Sequence, residues 1–582
     1  MSKSFEPPVD TVVLDTNEIK KRLQPKTNIA KQTSVLALGT LFSRITGQLR
    51  SIALVAALGA TGIAANSFDI ANNIPNTMLV IISGGILNSI LVPQIIKAQN
   101  QKNSQERLNK LLTLFGIIIL IITILLTLAA PFIVRLYAGI HWTMPQIELA
   151  IAFSYICMPQ IFFYGLYTIL GQVSSANERF GIYGWAPVAN NIISITGFIT
   201  FIIYIRHIHT IDSVNNLSSW NAPMIALLCL TATLGIVVQS LLMFIPLKKS
   251  NFKYKISFGL KGIGLREITN VSLWTFLIVL LEEIVALVFI KIASDAPIAA
   301  AGSDPASQLS IAGNASFTQA VIIYIVPYSL AAVSVATAMF TQLAKDATEK
   351  NVRAVGEKII SGIKTVTVFM VISFLIILLE ANHIVKVLIP SASTFSFDAI
   401  CSLLVPFSFV LIPISNILLM KKVFFAFSDA KKAFLYSLPY AAVSLALVIS
   451  FSLFAPPKIW TILVVVSAVI AYWVDYGFFT WGLKKELGSA FNTQSLTGFY
   501  IKEAMAAIPT ALVGLLAKWL LGWTYLLGWF EALFQLIIIA GCMTAVYLFM
   551  LKMLKVEQLH FYTKPIIAAS NKLKQRLFRK KP

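Results

Sequence analysis

The chain has 582 residues, 57% of them hydrophobic and only 12% charged, with a mean hydropathy of +0.80. A soluble domain carries about 25% charged residues, so this composition excludes a soluble fold and marks an integral membrane protein. Lys and Arg number 46 against 25 Asp and Glu, a formal charge of +21. In a soluble protein that excess would suggest nucleic acid, but here the bases sit in short gaps between apolar runs. They read as topology determinants, and no nucleic-acid partner is expected. Cys157, Cys229, Cys401 and Cys542 all fall inside apolar runs and read as packing residues, with neither a disulfide framework nor a metal site indicated.

Taken in chain order, residues 1–33 form a basic arm carrying Lys3, Lys20, Lys21, Arg22, Lys26 and Lys31. It lacks the apolar core of a cleavable signal peptide, so the first span is expected to serve as its own targeting signal. A helix needs about 20 apolar residues to cross ~30 Å of hydrocarbon. Roughly fourteen such runs follow, near 34–58, 66–96, 111–136, 147–173, 182–205, 224–247, 269–293, 311–342, 359–379, 398–420, 433–455, 459–482, 503–523 and 527–551. They are too long and too unalternating for barrel strands. With both termini placed in the cytoplasm, 37 of the 46 basic residues fall on the inner side and five on the outer, while Arg44, Arg50, Lys364 and Lys518 lie within spans. One missed helix would invert every later loop and destroy that split.

The expected organisation is therefore all-α and polytopic. A first lobe covers 34–247 and a basic cytoplasmic linker, 248–268, leads to a second lobe over 269–482. Two further helices over 503–551 and a basic tail over 552–582 complete it.

Charged and amide side chains at mid-span mark function by default, because placing them in hydrocarbon costs several kcal/mol. Arg44 and Arg50 lie deep in the first run. At 100° per residue they stand about 120° apart and are able to border one wide cavity. A guanidinium pairs bidentately with phosphate and keeps its charge when partly desolvated. The competing reading is an ion pair with a carboxylate of a neighbouring helix. In the second run Asn66, Asp69, Asn73 and Asn76 share roughly an 80° arc, and Pro75 frees a backbone carbonyl beside them. This stripe reads as cavity lining, against the plainer reading of interhelical hydrogen bonding.

Phe42-Ser43-Arg44, Gly47, Arg50, Gly59-Ala60, Asn66-Ser67-Phe68, Pro75-Asn76, Gly85 and Val92-Pro93 resemble the opening signature of the MurJ/MviN family of bacterial lipid II flippases. Further echoes run through Gly181 to Asn191, Gln239 to Lys249, Pro327 to Leu343 and Pro406 to Lys432. The resemblance implies the fold of the multidrug/oligosaccharidyl-lipid/polysaccharide exporter superfamily: two six-helix lobes around a central cavity, with the last two helices forming a groove for the lipid tail. It implies flipping of the peptidoglycan precursor lipid II across a bacterial cytoplasmic membrane by alternating access, with cell-wall synthesis and division proteins as partners. Family cavity arginines carry over at Arg44 and Arg50. The chain departs from the family pattern at Asn66, Leu79, Gly84 and Ile322, where charged residues are usual, and so resembles a divergent branch.

Energy coupling has its own candidates. Glu282 and Glu283 sit near the middle of the seventh run and point about 100° apart. They read as a cation or proton site, as a counter-charge for Arg44 or Arg50, or as neutral acids bonded within the bundle. Asp475 in the twelfth run is the candidate that resemblance to sodium-linked members adds. No cofactor is expected beyond such a coupling cation, sodium or proton. There is no Walker A, His-Glu-x-x-His or Gly-x-Ser-x-Gly pattern, so an enzyme is not expected. His207-x-His209 alone reads as solvated surface. The alternatives are a related saccharide flippase or drug/cation antiporter, disfavoured by the helices beyond twelve, and a membrane enzyme acting on polyprenyl phosphates, disfavoured by the scattered loop carboxylates.

Overall fold

The computed structural model describes residues 27–82, 104–176, 181–208, 214–248, 254–259, 270–302, 304–522, 524 and 527–559. Among these, all regular structure is helical. Ten helices are long and apolar enough to cross a membrane, eleven when Thr394–Ser408 and Leu411–Ala426, bent by 51°, count as one. Three more long helices, Thr27–Leu58, Ile63–Ile82 and Asn270–Ala301, carry the candidate polar residues of the first, second and seventh runs. They bring the rods to fourteen, each on one of the expected runs.

In chain order these are α1 (Thr27–Leu58), α2 (Ile63–Ile82), α3 (Ser104–Leu128, continued by Ala130–Tyr137), α4 (Met144–Cys157 and Gln160–Ala176), α5 (Gly181–Ile208), α6 (Ala222–Leu241 with Phe244–Lys248) and α7 (Asn270–Ala301). There follow α8 (Asn314–Thr348), α9 (Val352–Leu388), α10 (Thr394–Ser408 and Leu411–Ala426), α11 (Ala430–Phe454), α12 (Trp460–Leu487), α13 (Thr493–Leu521) and α14 (Trp529–Met553). Asn221, Asn351, Asp429 and Asn492 start α6, α9, α11 and α13 by accepting backbone N–H bonds that the first turn would otherwise leave open. Proline breaks α4 at Pro159 and begins the second part of α3 at Pro131, since its ring cannot donate the next helical bond.

Several boundaries differ from expectation. α1 begins at Thr27, ahead of the first apolar run: helix propensity, not hydropathy, sets where a helix starts outside hydrocarbon. Lys421 and Lys422, just past the expected end of the tenth run at residue 420, lie within α10. Cys542 is exposed on α14, whereas Cys157, Cys229 and Cys401 are buried as expected. The second run beyond residue 82, most of the 248–268 linker, His209 and the tail beyond residue 559 lie outside the described residues.

α1 to α6 pack mainly on one another, as do α7 to α12. α13 and α14 dock on α9, where Phe499, Ala506, Met543 and Tyr547 meet Val368 and Leu375. α1 and α5 touch backbone to backbone. A Cβ on Gly39 would lie 2.7 Å from the Gly184 carbonyl carbon, and one on Gly184 2.7 Å from the Leu36 oxygen, the small-residue contact by which membrane helices approach closely. Between the lobes, α2 and the end of α3 lie against α7 and α8.

Candidate substrate site between the lobes

The inter-lobe contact is a polar seam at the end of the bundle that carries the tight α1–α2 turn, where Gly59 and Gly62 adopt φ of 77° and 95°. The seam is built on the stripe of α2. Asn66, 2% exposed, accepts a bond from the Ala315 backbone N–H (3.1 Å), and its own carbonyl accepts from the Asn314 amide (3.0 Å). The Asp69 carboxylate accepts from Asn73 (2.8 Å), Asn314 (2.9 Å) and Thr318 (3.1 Å). Gly313 at the start of α8 makes this approach feasible, since a Cβ there would come within 2.6 Å of the Asn66 amide.

α1 extends the seam. Gln48 donates to the Leu388 carbonyl (2.8 Å), Ser51 bonds Gln319, Ser391 donates to the Ile52 carbonyl (2.8 Å), and Ser396 accepts from the Ala60 N–H (3.0 Å). The loop between α3 and α4 adds His141, whose backbone N–H and Nδ1 both lie 2.9 Å from Asp295 on α7. Trp142 donates to the Ser294 carbonyl at 2.9 Å. One end of the interface is thereby latched by amides, hydroxyls and carboxylates alongside apolar side chains such as Ile70, Ile74 and Ile298.

The two arginines flank this latch. Arg44, one to two helical turns further along α1 from the seam, is exposed and reaches across the lobes to donate to Ser329 of α8 at 3.0 Å. Arg50 is half-buried and lies within electrostatic reach of Tyr164 on α4. Among the described residues neither has a carboxylate within ion-pair distance. That removes the ion-pair reading of the arginines among those residues. The stripe divides: Asn66 and Asp69 are committed to the seam in this conformation instead of opening onto the cavity, Asn73 is tied to Asp69, and Asn76 is exposed.

The acidic candidates of the second lobe also separate. Glu282 is not a counter-charge to either arginine. It accepts a 2.7 Å bond from Lys421, whose side chain is only 15% exposed. Asp475, 2% exposed, lies within the electrostatic reach of both and keeps one oxygen without a hydrogen-bond partner. Tyr328, Tyr440 and Tyr472 surround the group. Glu283 turns the other way, towards Tyr137 at the lobe boundary, as adjacent helical positions must. Sequence reasoning missed Asn314, Thr318, Gln319 and Ser329 on α8, His141 with Asp295, and Lys421. The one signal for Lys421 was the apolar Val-Phe-Phe-Ala that follows Lys422 and continues the helix.

Two helical lobes joined by a polar seam, with two arginines beside it that have no carboxylate partner among the described residues, define a polytopic membrane protein of transporter-like architecture. A solved structure described as "Lipid II flippase MurJ, inward closed conformation" matches 91% of this chain and 99% of its own with a TM-score of 0.66 at 20% identity. An inward-facing multidrug resistance MATE family transporter matches 79% of this chain and 99% of its own with a TM-score of 0.59 at 17% identity; both likenesses establish the fold. The family model described as lipid II flippase MurJ matches residues 54–539, and the chain belongs to that family of multi-pass membrane proteins. Among curated relatives, a probable lipid II flippase MurJ of Buchnera aphidicola subsp. Baizongia pistaciae is 27% identical over 41% of this chain and 44% of its own length. One of Rickettsia prowazekii is 23% identical over 38% and 41%. The chain thus spans less than half the length of these relatives.

Proposed function

We propose that this protein moves lipid II from the cytoplasmic to the outer leaflet of a bacterial membrane by alternating access. The observation that carries the reading is the pair Arg44 and Arg50, two guanidinium groups free of carboxylate partners among the described residues and set beside an inter-lobe latch. A pyrophosphate supplies the matching charge, with oxygens spaced for bidentate donors. The asymmetry of the basic residues supports an orientation with the latched end outside and the termini in the cytoplasm, in which the lipid enters from the inner leaflet while the seam is shut. Opening the seam frees Asn66 and Asp69 to join Asn73 and Asn76 as contacts for the saccharide and peptide.

Energy comes from the membrane. Moving one charge across the full field is worth about 2.3 kcal/mol per 100 mV, and the anionic headgroup travels outward from a negative interior. Glu282 and Asp475, with Lys421, form the site at which a proton or sodium ion resets the empty carrier, and Glu283, which faces Tyr137, stands apart from it.

The test is flipping of lipid II in vesicles that hold the purified full chain under an imposed potential. Wild-type protein is expected to flip, Arg50→Ala to fail, and Arg50→Lys to recover only part, since the fork geometry is lost. Normal flipping by Arg50→Ala, or equal transport of an uncharged polyprenyl saccharide, would reject the reading.

A further inference from the structure

A cavity lies on the flank of the first lobe, away from the seam, between α3, α4, the end of α6 and the extended strap 254–258. Its volume is about 530 Å³ and its walls are almost wholly apolar, with Gly116, Leu120, Phe162, Leu166 and Phe244 among the lining residues and Lys248 at its rim. The strap is fastened over it: the Thr113 and Tyr254 hydroxyls lie 2.9 Å apart, and the Ser257 N–H donates to Thr113 at 3.3 Å. Gly116 leaves part of the space open, for a Cβ there would meet nothing within 4 Å.

A recess of this size left empty forfeits dispersion contacts along its whole lining, and water finds too few polar partners there to fill it. The occupant is therefore apolar. The strap adds a charge preference. Ile256 and Phe258 are 70% and 74% exposed while Lys255, just before them, and Lys248 at the rim are exposed bases. That is the arrangement of an interfacial segment whose apolar side chains enter the acyl region and whose ammonium groups stay at the headgroups. Basic residues at such a boundary favour anionic lipid.

We propose that this recess holds one acyl chain of an anionic phospholipid, with the phosphate at Lys248 and Lys255, as a bound structural lipid distinct from the transported substrate. The site rests on the proposed orientation only in being assigned to the cytoplasmic leaflet.

The full chain, taken from nanodiscs of equal phosphatidylglycerol and phosphatidylcholine into detergent, is examined by native mass spectrometry with identification of the retained lipid. One phosphatidylglycerol per chain is expected. Gly116→Phe, which fills the recess, lowers retention at least tenfold, and each of Lys248→Ala and Lys255→Ala lowers the preference for phosphatidylglycerol about fivefold, the factor that roughly 1 kcal/mol per base implies. Should Gly116→Phe misfold, the double variant Ile256→Ser/Phe258→Ser alters only exposed side chains and is expected to lose the lipid as well. Equal retention of both phospholipids by wild type overturns the proposal. So does undiminished retention in both the recess and strap variants, or recovery of a polyprenyl lipid or a peptide in place of the phospholipid. Because the readout is phospholipid retention and not flipping, failure here leaves the transport reading standing, and failure of transport leaves this site standing.

Discussion

The two lobes solve the same electrostatic problem in opposite ways. In the second, the carboxylates of Glu282 and Asp475 lie around the Lys421 ammonium, and tyrosines close the group. In the first, Arg44 and Arg50 have only a hydroxyl of α8 and the environment of Tyr164. A charge removed from water demands a partner; one lobe carries its own, and the other leaves the position to be filled. The difference is the basis for proposing the first lobe as the place where an anionic ligand binds, whereas the second already holds a counter-charge of its own.

The largest expected effect is on the unmatched side. Charge-assisted hydrogen bonds contribute about 1.5–3 kcal/mol each, so Arg44→Ala and Arg50→Ala are each expected to weaken lipid II binding roughly ten- to hundredfold, measured by titration in nanodiscs. Unchanged affinity would place both arginines outside the site and dissolve the contrast between the lobes.

Next comes the seam. Asp69→Leu removes the two bonds that cross the seam, from Asn314 and Thr318, worth about 1 kcal/mol each, which favours the outward-open state roughly thirtyfold. A cysteine placed at Gln319 is then expected to react much faster with a membrane-impermeant thiol reagent added outside. Equal rates in the two backgrounds would mean that the seam is not the outer gate.

A smaller effect is expected from the matched lobe. Lys421→Met leaves Glu282 and Asp475 without their cation. Breaking a buried pair costs about 3–5 kcal/mol, but Glu282 is about half exposed, so a loss of roughly 1–2 kcal/mol in detergent melts is expected. The double variant Lys421→Met/Glu282→Gln is expected to regain most of it, and failure to do so would show that the pair is not the source of the loss. Smallest is Asn76→Ala, at the exposed end of the stripe: a twofold to fivefold loss of affinity is expected, in line with one neutral hydrogen bond. Full affinity would confine the stripe to its role in the seam.

Much of this architecture is legible in the sequence because bilayer thickness and the asymmetry of Lys and Arg act on every span. α3, α4 and α10 were legible as single runs but their breaks were not, since hydropathy continues unchanged through Ala129, Met158 and Phe409. Arg44 and Arg50 could be singled out because an isolated charge in an apolar run needs no partner to be noticed. The partners themselves were hidden. Asn314 and Thr318 reach Asp69 across about 245 residues of chain, and nothing in the local pattern of α8 distinguishes them from polar residues at any helix start. Lys421 was misplaced because hydropathy alone ends a helix at the first pair of lysines, whereas the backbone carries α10 to Ala426.

The backbone contact of Gly39 with Gly184 has a mechanical consequence. Side-chain interfaces absorb small displacements by changing rotamer, like padding between two beams. At the Gly39–Gly184 crossing of α1 and α5 there is little such padding, and α5 in turn lies along α6. A displacement of Arg44 is therefore passed through α1, α5 and α6 as through a stiff lever, and a small movement at one point becomes a larger one at the far end of these helices.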